Sequence, residues 1–182
     1  DMLMFAEGTR RNHFDVGFDY TFGFRFFDAL KKVFYEGEPA SSIQNANAEE
    51  YSNNYDDDNR IVRYTTNHDV NITDGTPIEL FGGKPGSLAT FVVAAYMKSV
   101  PMIYNGQEIG YTQRLPFFNK TPIDWSTADN DIFTQYQQII DFRKNSEAIK
   151  TGSYNGYSSN AILAFTMKTD NETVLVLSNL TN

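Results

Sequence analysis

The chain has 182 residues, enough for one domain or slightly more, and 41% of them are hydrophobic, so a sizeable core can form. A formal net charge of −8 leaves no basic stripe to neutralise phosphates or meet an anionic membrane. This excludes nucleic acid and favours a neutral or small polar substrate. The absence of cysteine excludes disulfides, thiolate metal sites and cysteine nucleophiles.

Residues 2–6 are a continuous apolar run closed by Glu7 and Gly8, the pattern of a buried parallel strand with a carboxylate at its C-terminal end. Residues 10–14 read as a polar loop. Residues 16–22 form a second strand candidate that runs into Phe24–Tyr35, where the apolar spacing is helical and Gly37 and Pro39 provide the stop. Residues 40–60 are polar, with room for a turn or two of helix at 46–51. The acidic run Asp56, Asp57, Asp58 lacks the alternating ligands and glycine of a calcium loop and reads as solvated. Residues 61–66 are a β-branched strand closed by Asn67, His68 and Asp69. After a polar, glycine-rich loop, residues 87–99 read as a strongly apolar helix capped by Ser87. It is too short to span a membrane and is broken by Lys98, so no membrane insertion is expected. Residues 101–104 are another short apolar strand. A long loop then leads to a helix at 132–145 with Ile139, Ile140 and Phe142 on one face. Beyond Gly152, residues 161–167 and 173–180 form an antiparallel hairpin about a turn at 169–172.

Short apolar strands alternating with helices, with polar residues at the strand C-termini, follow the grammar of a (β/α) barrel, whose site is built there. A closed barrel needs eight strands and roughly 250 residues. Four strands precede residue 150, so the sheet cannot close alone, and a two-stranded hairpin is not a stable sheet. The expectation is a piece of a longer protein, with residues 1–150 as half a barrel and 151–182 as an incomplete β-domain. The start at Asp1 rather than Met agrees with an upstream portion.

Two carboxylates, Glu7 and Asp69, end strands. Glycoside hydrolysis uses such a pair, one acid held protonated and the other a nucleophile or base. Burial at the end of an apolar strand is expected to raise the pKa of Glu7. Asn67 and His68 can hydrogen-bond a neighbouring carboxylate or a ligand hydroxyl. His13 reads as structural or solvent-exposed, and Glu108 as a structural hydrogen-bonder. Arg114 is open between orienting a carboxylate and orienting a loop.

Several blocks fall in a telling order: Phe5-Ala6-Glu7-Gly8, Phe18-Asp19-Tyr20-Thr21-Phe22, Tyr64-Thr65-Thr66-Asn67-His68-Asp69, and Pro101-Met102-Ile103-Tyr104-Asn105-Gly106-Gln107-Glu108-Ile109-Gly110. Arg114-Leu115-Pro116 and Trp125 follow. Together they resemble the α-amylase superfamily, glycoside hydrolase family 13, over nearly the whole chain. The resemblance implies an α/β fold: strands 5–8 of a (β/α)8 TIM barrel with their helices, then part of an antiparallel β-sandwich. It implies a portion of a retaining hydrolase, or a glucanotransferase, acting on α-linked glucans. Glu7 would be the general acid/base, and Asp69 the stabiliser of the transition state. His68, Asn67 and Arg114 would bind substrate. The family nucleophile ends the fourth strand, upstream of this chain, so the 182 residues alone are expected to be inactive and to need the N-terminal half of the barrel. No metal ligands or cofactor are assigned here, and calcium stays open for the intact protein. Location is undetermined, the family resemblance according with an extracellular or periplasmic protein. Val70, Asn71 and Ile72, where the family often has a basic or polar residue, leave substrate preference open. The competing reading is a catalytically silent amylase-like interaction or sugar-binding module, and self-association of half barrels is a further expectation.

Overall fold

Four short parallel strands form the main sheet of the computed structural model, which describes residues 2–10, 12–52 and 61–180. They are β1 (Phe5–Ala6), β2 (Tyr20–Phe22), β3 (Ile61–Arg63) and β4 (Val100–Pro101), hydrogen-bonded in chain order. Ala6 lies opposite Thr21, Phe22 opposite Val62, and Arg63 opposite Pro101. Parallel neighbours require a crossover between each pair. The one-turn helix α1 (Asn12–Asp15) lies between β1 and β2, where a loop was expected. Helices α2 (Phe24–Tyr35) and α3 (Ser41–Glu50) lie between β2 and β3. Then α4 (Val70–Thr73), α5 (Pro77–Leu80) and α6 (Gly83–Tyr96) lead to β4.

The helix α2 buries Phe26, Phe27, Ala29, Leu30 and Val33, a single stripe at helical spacing. Gly37, at φ 69°, supplies the left-handed residue that ends it. Its buried face packs on the sheet, where Phe27 stacks on Tyr64 with ring centroids 5.2 Å apart. The glycine-rich stretch after Asp69 is helical rather than a loop. Thr76 and Glu79 form a reciprocal capping box around α5, with Pro77 in its first turn. Ser87 does not cap α6. The helix starts four residues earlier, after Gly82 at φ 70°, because Pro85 is tolerated in a first turn. The Ser87 hydroxyl instead donates to the Lys84 carbonyl.

Arg63 is fully buried behind the sheet. Its guanidinium donates to Glu50 at 2.7 Å, to Asn47 Oδ1 at 2.8 Å and to the Met97 carbonyl. The same group lies 4.7 Å from the centroid of the Phe26 ring. A buried charge is tolerated only when it is paired and its hydrogen bonds are satisfied. These contacts join β3 to α3 and to the end of α6.

After β4 the chain makes a 3₁₀ turn at Gln107–Ile109 and another at Trp125–Thr127. Helix α7 (Asn130–Asn145) follows, capped by the Asp129 carboxylate. Its buried residues are Ile132, Tyr136 and Ile139, at i, i+4 and i+7, so the inner face is turned away from the expected Phe142, which is 45% exposed. Helix α8 (Glu147–Thr151) leads into an antiparallel sheet of three strands, not two: β5 (Ser153–Gly156), β6 (Ile162–Lys168) and β7 (Thr173–Asn179). Strand β5 escapes the sequence pattern because its side chains are only half-buried. One hydrophobic cluster runs from Phe22 and the helices into Leu163, Phe165 and Met167 of β6.

One expectation fails on burial. Residues 2–5 are not in a core: Met2 is 81% and Leu3 67% exposed. Strand β1 pairs only with β2, and its other edge has no neighbour among the described residues. The run of Asp56, Asp57 and Asp58 lies outside the described residues.

Candidate active site

Strands β1 and β3 run parallel on either side of β2, so their C-terminal ends emerge at the same end of the sheet. Glu7 follows β1 directly. After β3 the chain stays buried through Tyr64, Thr65, Thr66 and Asn67, and His68 and Asp69 are the first side chains to reach solvent. His68 Nε2 lies 3.5 Å from Glu7 Oε1 and 3.5 Å from Asp69 Oδ1. One donor or acceptor atom from each of the three groups fits within 4.8 Å. Two residues from one loop and one from another, 61 positions earlier, thus share one cluster.

Asn67 builds the turn that presents this cluster. Its side-chain oxygen accepts from the backbone N–H groups of Asp69 and Val70, both at 2.9 Å. A short polar side chain bonding its own backbone two and three residues on fixes such a turn. The side chain is 1% exposed, and its buried Nδ2 has no partner among the described residues. Glu7 departs from the expected burial: its side chain is 50% exposed, because the face of β1 it adjoins is open.

Arg114 is engaged in bracing. Its Nε lies 3.3 Å from Glu79 Oε2, and Nη1 donates to the carbonyl of Ile72 at 3.2 Å and of Thr73 at 3.4 Å. It therefore orients both a carboxylate and a loop, tying the segment after β4 to α4 and α5. Burial acts to raise the Glu79 pKa, but hydrogen bonds from Thr76 and Arg114 overcome it and hold that carboxyl below its ordinary value. His13 packs edge-on to Phe18 and against Gly8, where a Cβ would come within 3.0 Å of its ring.

Three residues that sequence reasoning passed over support the site. Gln107 is buried and donates to Thr65 Oγ1 and Tyr136 Oη, both at 2.8 Å, linking the segment after β3 to α7. Asn71 accepts from the Leu115 backbone at 2.8 Å. Phe117 sets its ring edge-on to His68, with centroids 6.3 Å apart. A buried amide next to a motif gives no composition signal, and aromatic residues are read first as core. Glu108 Oε2, expected to hydrogen-bond, is buried with no partner among the described residues.

The cluster offers two acids and an imidazole to a ligand rich in hydroxyls. The sequence assigned no metal ligands, yet the same three groups also match the donor set of a divalent cation. Beside Glu7 a groove of about 590 Å³ is lined by Gly8, Arg10, Asn12, His13 and Phe18.

Comparison with known proteins decides the fold. The structure superposes on cyclic α-maltosyl-(1→6)-maltose hydrolase from Arthrobacter globiformis with a TM-score of 0.78 and 16% identity, covering 98% of this chain and 42% of that one. Over about half of its length the chain is also similar in sequence to an α-amylase. It is 33% identical over 95 residues to alpha-amylase 2 of Dictyoglomus thermophilum, covering 46% of this chain and 17% of that protein. A noncanonic maltogenic alpha-amylase, AmyB from Thermotoga neapolitana, matches with a TM-score of 0.79 and 15% identity, covering 98% of this chain and 41% of that one. The chain thus spans less than half the length of these relatives. No protein-family model matches it.

Proposed function

We propose that this chain is part of a retaining α-glucan hydrolase and carries its general acid/base, Glu7. The observation that carries the reading is the convergence of Glu7, His68 and Asp69 at the C-terminal end of a parallel sheet, where barrel enzymes build their sites. Residues 1–150 are read as strands 5–8 of a (β/α)8 barrel, and residues 151–182 as the start of a β-sandwich. Both free edges of the four-stranded sheet, and the exposed Leu175 and Leu177 on one face of the small sheet, support that reading.

In this mechanism Glu7 protonates the glycosidic oxygen as the bond breaks, and then takes a proton from the water that completes hydrolysis. A carboxylate from outside these 182 residues attacks the anomeric carbon. The Asp69 carboxyl faces the positive charge that develops on the sugar ring, while His68 donates to a ring hydroxyl. Asn67 sets the turn that aims both, and Arg114 holds the neighbouring loop. The Arthrobacter hydrolase has been solved in complex with cyclic α-maltosyl-(1→6)-maltose and with maltose, which supports an α-linked gluco-oligosaccharide as ligand here.

The test is hydrolysis of a soluble α-glucan by the intact protein and its Glu7→Gln variant. Loss of a general acid is expected to lower kcat by about 10²–10⁴-fold. A variant as fast as the parent would refute the assignment.

A further inference from the structure

Resting on the reading of the site as an α-glucan cleft, we propose that Phe117 and Phe118 form a stacking platform that binds a glucosyl unit beside the one being cleaved. The segment after β4 carries two adjacent phenylalanines where a surface loop is ordinarily polar. Phe118 is 98% and Phe117 46% exposed, with ring centroids 5.8 Å apart. Phe117 also approaches His68, so the platform is continuous with the acid cluster.

Exposed apolar side chains scattered singly carry no meaning, but a contiguous pair against a polar site does. A pyranose ring has hydroxyls at its rim and a patch of C–H groups on its face. Those hydrogens sit well on the negative face of an aromatic ring. The chain's acidic character does not hinder a neutral sugar.

The loop is held ready for this use. The Leu115 backbone donates to Asn71, and Arg114 is fastened to Glu79 and to two carbonyls of the α4 segment. Ile123 packs over Gly106, leaving little room for a Cβ there. A rigid aromatic anchor loses little freedom on binding. Pro116, just before the platform, is on the wall of a groove of about 710 Å³ together with Tyr104, Asn105, Leu115, Ile123 and Trp125. Trp125 is 51% exposed. The groove adjoins the platform through Pro116 and gives longer glucans more surface than short ones.

The experiment is calorimetric binding of maltoheptaose and of maltose to the intact protein in the Glu7→Gln background, with Phe118→Ala, Phe118→Tyr and the double change Phe117→Ala with Phe118→Ala. Phe118→Ala is expected to weaken maltoheptaose about three- to tenfold, the range for one lost aromatic contact. The expected loss is smaller for maltose, and Phe118→Tyr restores binding. Unchanged maltoheptaose affinity in all three variants would overturn the platform. So would a lower melting temperature with unchanged affinity, which would assign the rings to packing against another part of the protein. Glucan turnover that survives Glu7→Gln would instead sink the catalytic reading and leave the affinity comparison valid for the platform.

Discussion

Asn67 is nearly fully buried, yet it directly precedes the two side chains that reach solvent. Its oxygen holds the backbone of Asp69 and Val70, so its contribution is to the shape of the turn. Replacing Asn67 with Ala is expected to cost about 1 kcal/mol, the size of a lost helix cap, and to lower glucan hydrolysis while leaving Glu7 in place. Asn67→Asp, which keeps the accepting oxygen, should recover most of the melting temperature. Thermal melts and rates on the two variants check this. The Asn-His-Asp motif was legible in the sequence, as was Glu7 at a strand end. The sequence did not reveal which of the motif's side chains face outward. That depends on β3 continuing as buried chain through Thr66, a tertiary property. The exposure of Glu7 was hidden for the same reason: its surroundings come from chain far away in sequence.

At the level of elements, the helix α2 was read residue for residue, since its apolar stripe and its glycine stop are both local signals. The short helices α4 and α5 were missed because the surrounding glycines and polar residues were read as loop, although Thr76-Pro77-Ile78-Glu79 carries the capping-box signature in the sequence itself. The start of α6 was missed because Ser87 was read as its N-cap and the glycine-rich residues before it as loop, whereas the first turn accepts Pro85. The most buried ion pair among the described residues is Arg63 and Glu50, at 2.7 Å with side chains 0% and 6% exposed. Removing one member leaves a buried charge alone. Glu50→Ala is therefore expected to destabilise the protein by about 3–5 kcal/mol, and denaturant unfolding measures it. Replacing both residues with apolar ones of similar volume should cost far less, which would separate the penalty of an orphaned charge from the worth of the pair.

Across the whole molecule, the small sheet is fastened to the helices by a few polar contacts as well as by the core. Glu172, in the turn between β6 and β7, accepts from Ser146 Oγ at 2.9 Å and from the Ala148 backbone at 2.8 Å. The backbone bond from Ala148 and the hydroxyl of Ser146 lower the Glu172 pKa below its ordinary 4.5. A depressed carboxylate contributes stability that is present above its unfolded value and lost as pH falls through the folded one. The melting temperature of Glu172→Gln is thus expected to lie below the parent's at pH 7, with the gap closing as the pH drops below 4.5. A gap independent of pH would assign the effect to packing. Exposed apolar groups at both ends of the chain, Met2 and Leu3 beside β1 and Leu175 and Leu177 on β7, are a further whole-molecule feature. Strand patterns in the sequence implied burial for them, since local pattern reports what a segment can cover and not what it meets.

The central claim is that Glu7 protonates the leaving oxygen of an α-glucan. The most direct measurement compares Glu7→Gln with the parent on two substrates: a soluble α-glucan, whose leaving alcohol needs a proton, and α-glucosyl fluoride, whose fluoride departs without one. With Glu7 as the acid, the variant is expected to fall about 10²–10⁴-fold on the glucan and much less in the glycosylation step on the fluoride. Equal losses on both substrates, or no loss on the glucan, would contradict it.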